Sequence, residues 1–424
     1  MQANQSSQRK SVRAAIKISA AMIVGLLLGV ALGLSYFTSL TSLQQNTTRV
    51  QAVVVPIGAL VELTGDLESY GKRDMHALEL AVEDINAFAE QVGSPFRFRL
   101  LVEDTGTNPE QARAKIQALA AQGVQAVIGL EASSEVSQVK QFADANKVVV
   151  VSVGSTAISL AVAGDYVFRV VPSDVYQGRA LARLVFSSGF RGAAVIYRND
   201  AWGKGLFEAF AARFRELGGS VEAVAFDPNA QDVSGEVARL AEAASKLGPS
   251  TAVVLISFED DGIKVIQAAA QNPTLSKLKW FGTDGVALST KLSDQVGGQL
   301  VMLGGFPCTI FQPAGNPQQQ EFIERFRSRF GEYPHSYAMN AYDAAWLVAL
   351  SVMAAGQYSG EAIAKALPTV AQHYYGVTGN TALDQTGDRS AGDYAVWAVI
   401  RTPSGYNWTQ IALYDSQADT VVKV

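Results

Sequence analysis

The chain of 424 residues has a single cysteine, Cys308. No disulfide can form within it, and Cys308 lies too deep in the sequence to carry a lipid anchor. Histidine is scarce as well: His76, His335 and His373 lie far apart and form no HExxH-type spacing, so no metal ligand set is expected and no cofactor is implied. Charged residues make up 17% of the chain and the formal net charge is −5, with Lys and Arg scattered rather than clustered. Without a basic stripe interleaved with aromatics, a nucleic-acid partner is excluded from the reading. Also missing are a G-x-S-x-G elbow, a Walker A loop and a G-x-G-x-x-G opening a helix after the first strand. An enzyme is therefore not expected.

The N-terminus is more informative. Arg9, Lys10, Arg13 and Lys17 precede an uncharged apolar segment at residues 18–37, about the length a helix needs to cross a bilayer. Its charge bias puts residues 1–17 in the cytoplasm and the rest outside. The apolar core exceeds that of a cleaved signal peptide, and "ALG" at Ala31 to Gly33 is a poor cleavage site, so the segment is read as an uncleaved membrane anchor. If it is cleaved instead, the protein is released to the periplasm or cell surface. Residues 38–50, rich in Ser, Thr and Gln, suit a solvated tether. Asn46 and Asn407 open glycosylation sequons.

From there apolar β-type runs alternate with amphipathic helical patterns. "VVVPIGALVEL", "FRFRLLVED", "VQAVIGL" and "VVVVSVGST" read as strands, with helices between them. The alternation restarts after "YVFRVVPSD", and β-rich, hairpin-like segments close the chain from Tyr374. This pattern predicts an α/β fold of two doubly wound parallel sheets of similar size, with a ligand site where their strand ends face each other. The valine run ends in Gly154, Ser155 and Thr156, at the carboxyl end of its strand, where open α/β sheets bind ligands. Read alone, Thr156 is more readily a helix cap than a ligand contact.

Taken in order, "IGALVELTGDLESYGKRDMHALELAVEDIN", "VIGLEASSEVSQVKQFADANKVVVVSVGST", "YRNDAWGKGL" and "WFGTDGV" resemble the type I periplasmic solute-binding proteins of ABC transporters, specifically the branched-chain amino-acid (Leu/Ile/Val) binding family. The resemblance runs from about Val50 to the C-terminal segment. It implies two lobes, residues 51–171 with 306–371 and residues 172–305 with 372–424, joined by a three-segment hinge. It further implies an extracytoplasmic receptor that captures an amino acid, aliphatic or branched-chain, between closing lobes and delivers it to an ABC permease.

By the same resemblance Ser133 offers a hydroxyl to the ligand carboxylate, Gly154 a carbonyl, Thr156 contacts to both ends, and Asp284 the countercharge for the α-ammonium. Trp202 and Phe258 would wall the site, and Tyr70 would line the side-chain pocket. Each has a plainer reading: "TDGV" as a turn, the aromatics as core, Tyr70 as a surface residue at a helix start. Phe258 and Trp202 stand where the family often has Tyr, which implies a pocket that is smaller, more apolar, or tuned to something other than leucine. The acidic run Glu259 to Asp261, beside Phe258, could attract a cationic side chain, although such runs usually face solvent. Two other readings stay open. The same fold could bind an amide, a urea-like compound or an aromatic acid, or it could serve as a ligand-sensing domain for a separate signalling chain.

Overall fold

The computed structural model describes residues 52–390 and 392–424. The expected cytoplasmic segment, membrane anchor and tether, and the Asn46 sequon, all fall outside these residues.

Five strands open the fold: β1 (Val53–Val61), β2 (Phe96–Asp104), β3 (Ala126–Gly129), β4 (Val149–Ser152) and β5 (Val167–Pro172). They are parallel and stand in the order β2-β1-β3-β4-β5, so the connections run in opposite directions from the β1–β3 pair. Such a switch point leaves a crevice at the carboxyl ends of the two strands. The valine run now has a packing reason. Val149 and Val151 enter one core with the helices Glu68–Gln91 and Ser336–Ala355, while Val150 enters another with the helices Pro109–Ala121 and Ser133–Asn146. A parallel strand covered on both faces needs apolar residues at successive positions.

Gly129 closes β3 with φ +122°, and a side chain there would collide with the Leu60 carbonyl of β1. Glycine is required because the two strand ends approach so closely at the crevice.

A second parallel sheet follows: β6 (Gly192–Arg198), β7 (Ser220–Phe226), β8 (Thr251–Ile256) and β9 (Trp280–Phe281), in the order β7-β6-β8-β9. Its switch point lies between β6 and β8. The sequence expectation of two parallel sheets therefore holds, and the β-rich closing segments enter a third sheet whose full make-up was not foreseen. There β10 (Cys308–Gln312) pairs antiparallel with a late strand of the chain. Next come a two-residue pair, β11 (Tyr375–Gly376) with β12 (Gly379–Asn380), and then β13 (Asp388–Arg389), which returns to pair with β5 in the first sheet. Lastly β14 (Asp393–Thr402), β15 (Gly405–Asp415) and β16 (Thr420–Lys423) complete the antiparallel sheet with β10. A bridge from Gly282 to Cys308 ties that sheet to the end of β9.

Among the described residues one helix, Ser336–Ala355, is long and apolar enough to cross a membrane. It is buried against the helix Glu68–Gln91 and the first sheet, and its composition follows from that position.

Candidate functional site

The two switch points face each other, and the residues singled out in the sequence sit on their rims. Ser133 begins the helix that follows β3, and Gly154 and Thr156 lie in the loop after β4. Trp202 is in the first turn after β6, Phe258 precedes the helix after β8, and Asp284 follows β9. Tyr70, from the helix after β1, reaches across. None of Tyr70, Ser133, Thr156, Trp202, Phe258 and Asp284 is more than 6% exposed.

Direct contacts link them. The Ser155 hydroxyl (2.9 Å) and the Ala157 amide (3.2 Å) both donate to Ser133 Oγ, which fixes the loop around Gly154. Trp202 Nε1 donates to Thr156 Oγ1 at 3.1 Å, and its ring stacks on Phe258 with centroids 4.8 Å apart. The Tyr70 hydroxyl reaches the Asp284 carbonyl at 2.8 Å, as well as that of Ala287. Asp284 accepts from Gln177 Nε2 at 2.9 Å and from the Tyr337 hydroxyl at 2.7 Å. Burial pushes its carboxyl up to about 6, and those two donors hold it down against a larger rise.

Several plainer readings fail. Thr156 is not a helix cap: a short 3₁₀ turn, Ile158–Leu160, follows it without a side-chain cap, and its hydroxyl oxygen is taken by Trp202. Tyr70 is buried rather than at the surface. The run Glu259 to Asp261 is not a solvated loop but the first turn of the helix Glu259–Ala270, and each of its carboxyls already has partners. Glu259 accepts from the Ser69 amide (3.2 Å) and from the Ser69 and Ser289 hydroxyls. Asp261 pairs with Arg198, and Asp260 with Lys291.

The loop after β4 is braced from below. Arg169 donates to the carbonyls of Ala157 (2.7 Å) and Ser155 (3.2 Å), while its Nε pairs with Asp388 at 2.6 Å. Asn340 Nδ2 holds the Val153 carbonyl at 2.9 Å. Arg198 lies 4.0 Å over the Phe258 ring and pairs with Asp200 and Asp66, so the aromatic pair is also fixed.

Sequence reasoning passed over residues that the structure draws into this crevice. Tyr337 and Gln177 hold Asp284, and both belong to helices whose patterns read as core. Glu62 follows β1 and accepts from the Glu131 and Ala132 amides at 2.7 and 3.3 Å. Asp74 and Glu131 are buried and hydrogen-bond each other. Burial drives both carboxyls well above the usual carboxylate range, and the charge of Glu62 raises both further. A signal for Glu131 was present, since a carboxylate in "VIGLEASS" breaks an apolar strand end. Asp74 gave none, because it occupies an ordinary polar position of an amphipathic helix. His335 lies near this pair, but both its nitrogens are engaged: Nδ1 accepts from the Ala338 amide at 3.0 Å and Nε2 faces the Tyr70 carbonyl at 3.3 Å.

Comparison with known proteins places this arrangement among others. Residues 73–402 match the family model described as the receptor family ligand binding region. An uncharacterized protein of Methanocaldococcus jannaschii is 32% identical over 91% of this chain and 96% of its own length. The Leu/Ile/Val-binding protein homolog 1 of Brucella suis is 24% identical over 84% of this chain and 93% of its own. The solved structure of the branched-chain amino acid transporter substrate binding protein of Streptococcus pneumoniae, in complex with isoleucine, superposes with a TM-score of 0.71. It is 20% identical and covers 84% of this chain and 100% of that one.

Proposed function

The chain belongs to the receptor ligand-binding-region family, and from that premise we propose that it is an extracytoplasmic solute-binding receptor of an ABC importer, held to the membrane by residues 18–37, that captures an amino acid and hands it to a permease. In this reading one lobe is built on the first parallel sheet and the other on the second, hinged by the three segments that cross between them; against the bounds expected from the sequence, β10 goes with the second lobe through its bridge to β9 and its pairing with β14, and β13 goes with the first through β5. Ligand docks first on Ser133, Gly154 and Thr156. The second lobe then closes and adds Asp284, Trp202 and Phe258, while Tyr70 reaches across from the first. Closure presents the joined surface of both lobes to the permease.

One observation carries the reading: the ends of two facing parallel sheets bring together a hydroxyl-and-glycine loop and a buried aspartate on opposite walls. The first suits a carboxylate, which wants N–H and O–H donors. The second suits an ammonium, which wants acceptors and one countercharge. A ligand without an ammonium would leave Asp284 buried beside nothing cationic, which disfavours amides and aromatic acids.

The test is a thermal-unfolding screen against the common amino acids, short-chain amides and aromatic acids, since a ligand that binds only the folded state raises the melting temperature. Stabilisation by an amino acid that disappears in Asp284→Ala is the expected result. Stabilisation confined to compounds lacking an amino group would sink the amino-acid reading.

A further inference from the structure

The carboxyls that gather at the β1–β3 switch point are not matched by cations. Among the described residues no cationic or amide donor reaches the carboxyl of Asp74 or Oε1 of Glu131, both buried, and the two carboxyls hydrogen-bond only each other. The neighbouring guanidinium, Arg73, is directed elsewhere: its Nε goes to Glu332 at 3.2 Å and its Nη1 to the Leu288 carbonyl at 3.2 Å. Proteins seldom enclose carboxyls without compensation, because each forfeits its hydration.

Two further observations turn this cluster towards a ligand. At Gly154, the candidate contact residue, an added methyl group would stand 2.9 Å from Glu131 Oε2 and 3.0 Å from the Tyr337 ring. Tyr337 in turn donates to Asp284, so the unmatched carboxyl of Glu131 and the countercharge Asp284 border the same spot. Near Asp284, Asp174 is also fully buried, with the Thr156 hydroxyl beside it and no cation paired to it. The acidic surplus therefore surrounds the candidate ligand contacts and does not lie apart from them.

Resting on the amino-acid receptor reading, we propose that Asp74 and Glu131 select an amino acid with a second cationic nitrogen, on its side chain, in place of an aliphatic one. Asp284 takes the α-ammonium, and the Asp74–Glu131 pair takes the side-chain ammonium or guanidinium as acceptors of charge-assisted hydrogen bonds. An aliphatic side chain would leave the pair with no cation beside it. A divalent cation fits less well. His335, the remaining group of that cluster able to ligate one, already has Nδ1 on the Ala338 amide and Nε2 on the Tyr70 carbonyl.

The experiment measures thermal unfolding and calorimetric affinity of the full-length protein with L-lysine, L-arginine, Nε-acetyl-L-lysine, L-leucine, and manganese or zinc salts with and without EDTA. The expected result is stabilisation by lysine or arginine, none by leucine, and none by acetyl-lysine, which keeps the α-groups and loses only the side-chain charge. Glu131→Gln should weaken the basic ligand by about tenfold or more. If that variant does not fold, Asp74→Asn and the acetyl-lysine comparison still decide. Stabilisation by leucine at least equal to that by lysine overturns the proposal while leaving the amino-acid receptor intact. Stabilisation by a metal salt alone, reversed by EDTA, overturns it in favour of a metal site. If no amino acid of any class binds, the receptor reading itself fails.

Discussion

At the scale of single residues, the Trp202–Thr156 contact joins the end of β4 to the first turn after β6 with one neutral hydrogen bond. Trp202→Phe removes that donor and shrinks the buried ring stacked on Phe258. Ligand affinity should fall by about five- to tenfold, about 1 kcal/mol for the lost hydrogen bond, and the smaller ring should lower the melting temperature of the ligand-free protein. A drop of more than about a hundredfold would mean that the indole touches the ligand directly.

Buried carboxyls also give a direction to the pH dependence. Asp284 is raised to about 6 by burial, and Asp74 to about 8 by burial with Glu62 adding to it; Glu131, Arg73 and His335 are the other charged or titratable groups facing Asp74. The folded state therefore holds protons that an unfolded chain releases near pH 4. By linkage, these groups contribute full stability below about pH 4 and lose it as pH rises towards about 8. The ligand-free protein should melt at a lower temperature at pH 8 than at pH 5.5, and Asp74→Asn should flatten that slope. A melting temperature that climbs across this interval in the wild type would contradict the account.

Among elements, the most consequential support is β13, two residues long. Its Asp388 neutralises the fully buried Arg169, which braces the loop carrying Gly154 and Thr156. Arg169→Met leaves Asp388 without its partner and should cost about 3–5 kcal/mol of stability, whereas Arg169→Met combined with Asp388→Leu should recover most of it. Chemical denaturation of the two variants measures the difference. If the double variant is no more stable than the single one, the loss lies in the loop carbonyls and not in the unpaired charge.

Strands such as β4 and β8 were legible because burial on both faces writes itself into a continuous apolar run. The rim positions of Ser133, Gly154, Thr156 and Asp284 follow from the same logic, since carboxyl ends of parallel strands can be found once the strands are. β13 was not legible. Asp388 and Arg389 carry no apolar periodicity, and their pairing with β5 depends on residues more than two hundred positions away. The antiparallel sheet was half visible: its late strands gave hairpin signals, but β10 has no local mark of a partner in β14. Nor could composition tell which acids stay unmatched, because that depends on where Arg73, Arg198 and Lys291 turn their charges.

For the whole molecule, the two parallel sheets meet through polar clasps as well as the crevice. Glu259 takes the Ser69 amide and hydroxyl, Arg198 reaches Asp66 at 3.5 Å, and Tyr70 reaches the Asp284 carbonyl. The structure is thus drawn together across the crevice. Ser69→Ala combined with Asp66→Asn should favour the open form, so that small-angle scattering of the ligand-free variant gives a larger radius of gyration than that of the liganded wild type. Equal radii in every state would argue against a hinge.

The two-residue strand β13 also sets an order in time. Arg169 waits for a partner 219 positions further along the chain, so a growing polypeptide has made the whole of β1 to β5 long before the first sheet can be completed. Until residue 388 emerges, the guanidinium under the loop has no counterion and the flank of β5 stays open to other chains. The first half of the molecule is therefore unfinished until the last tenth of the sequence exists, and its riskiest moment for misassembly falls between the two.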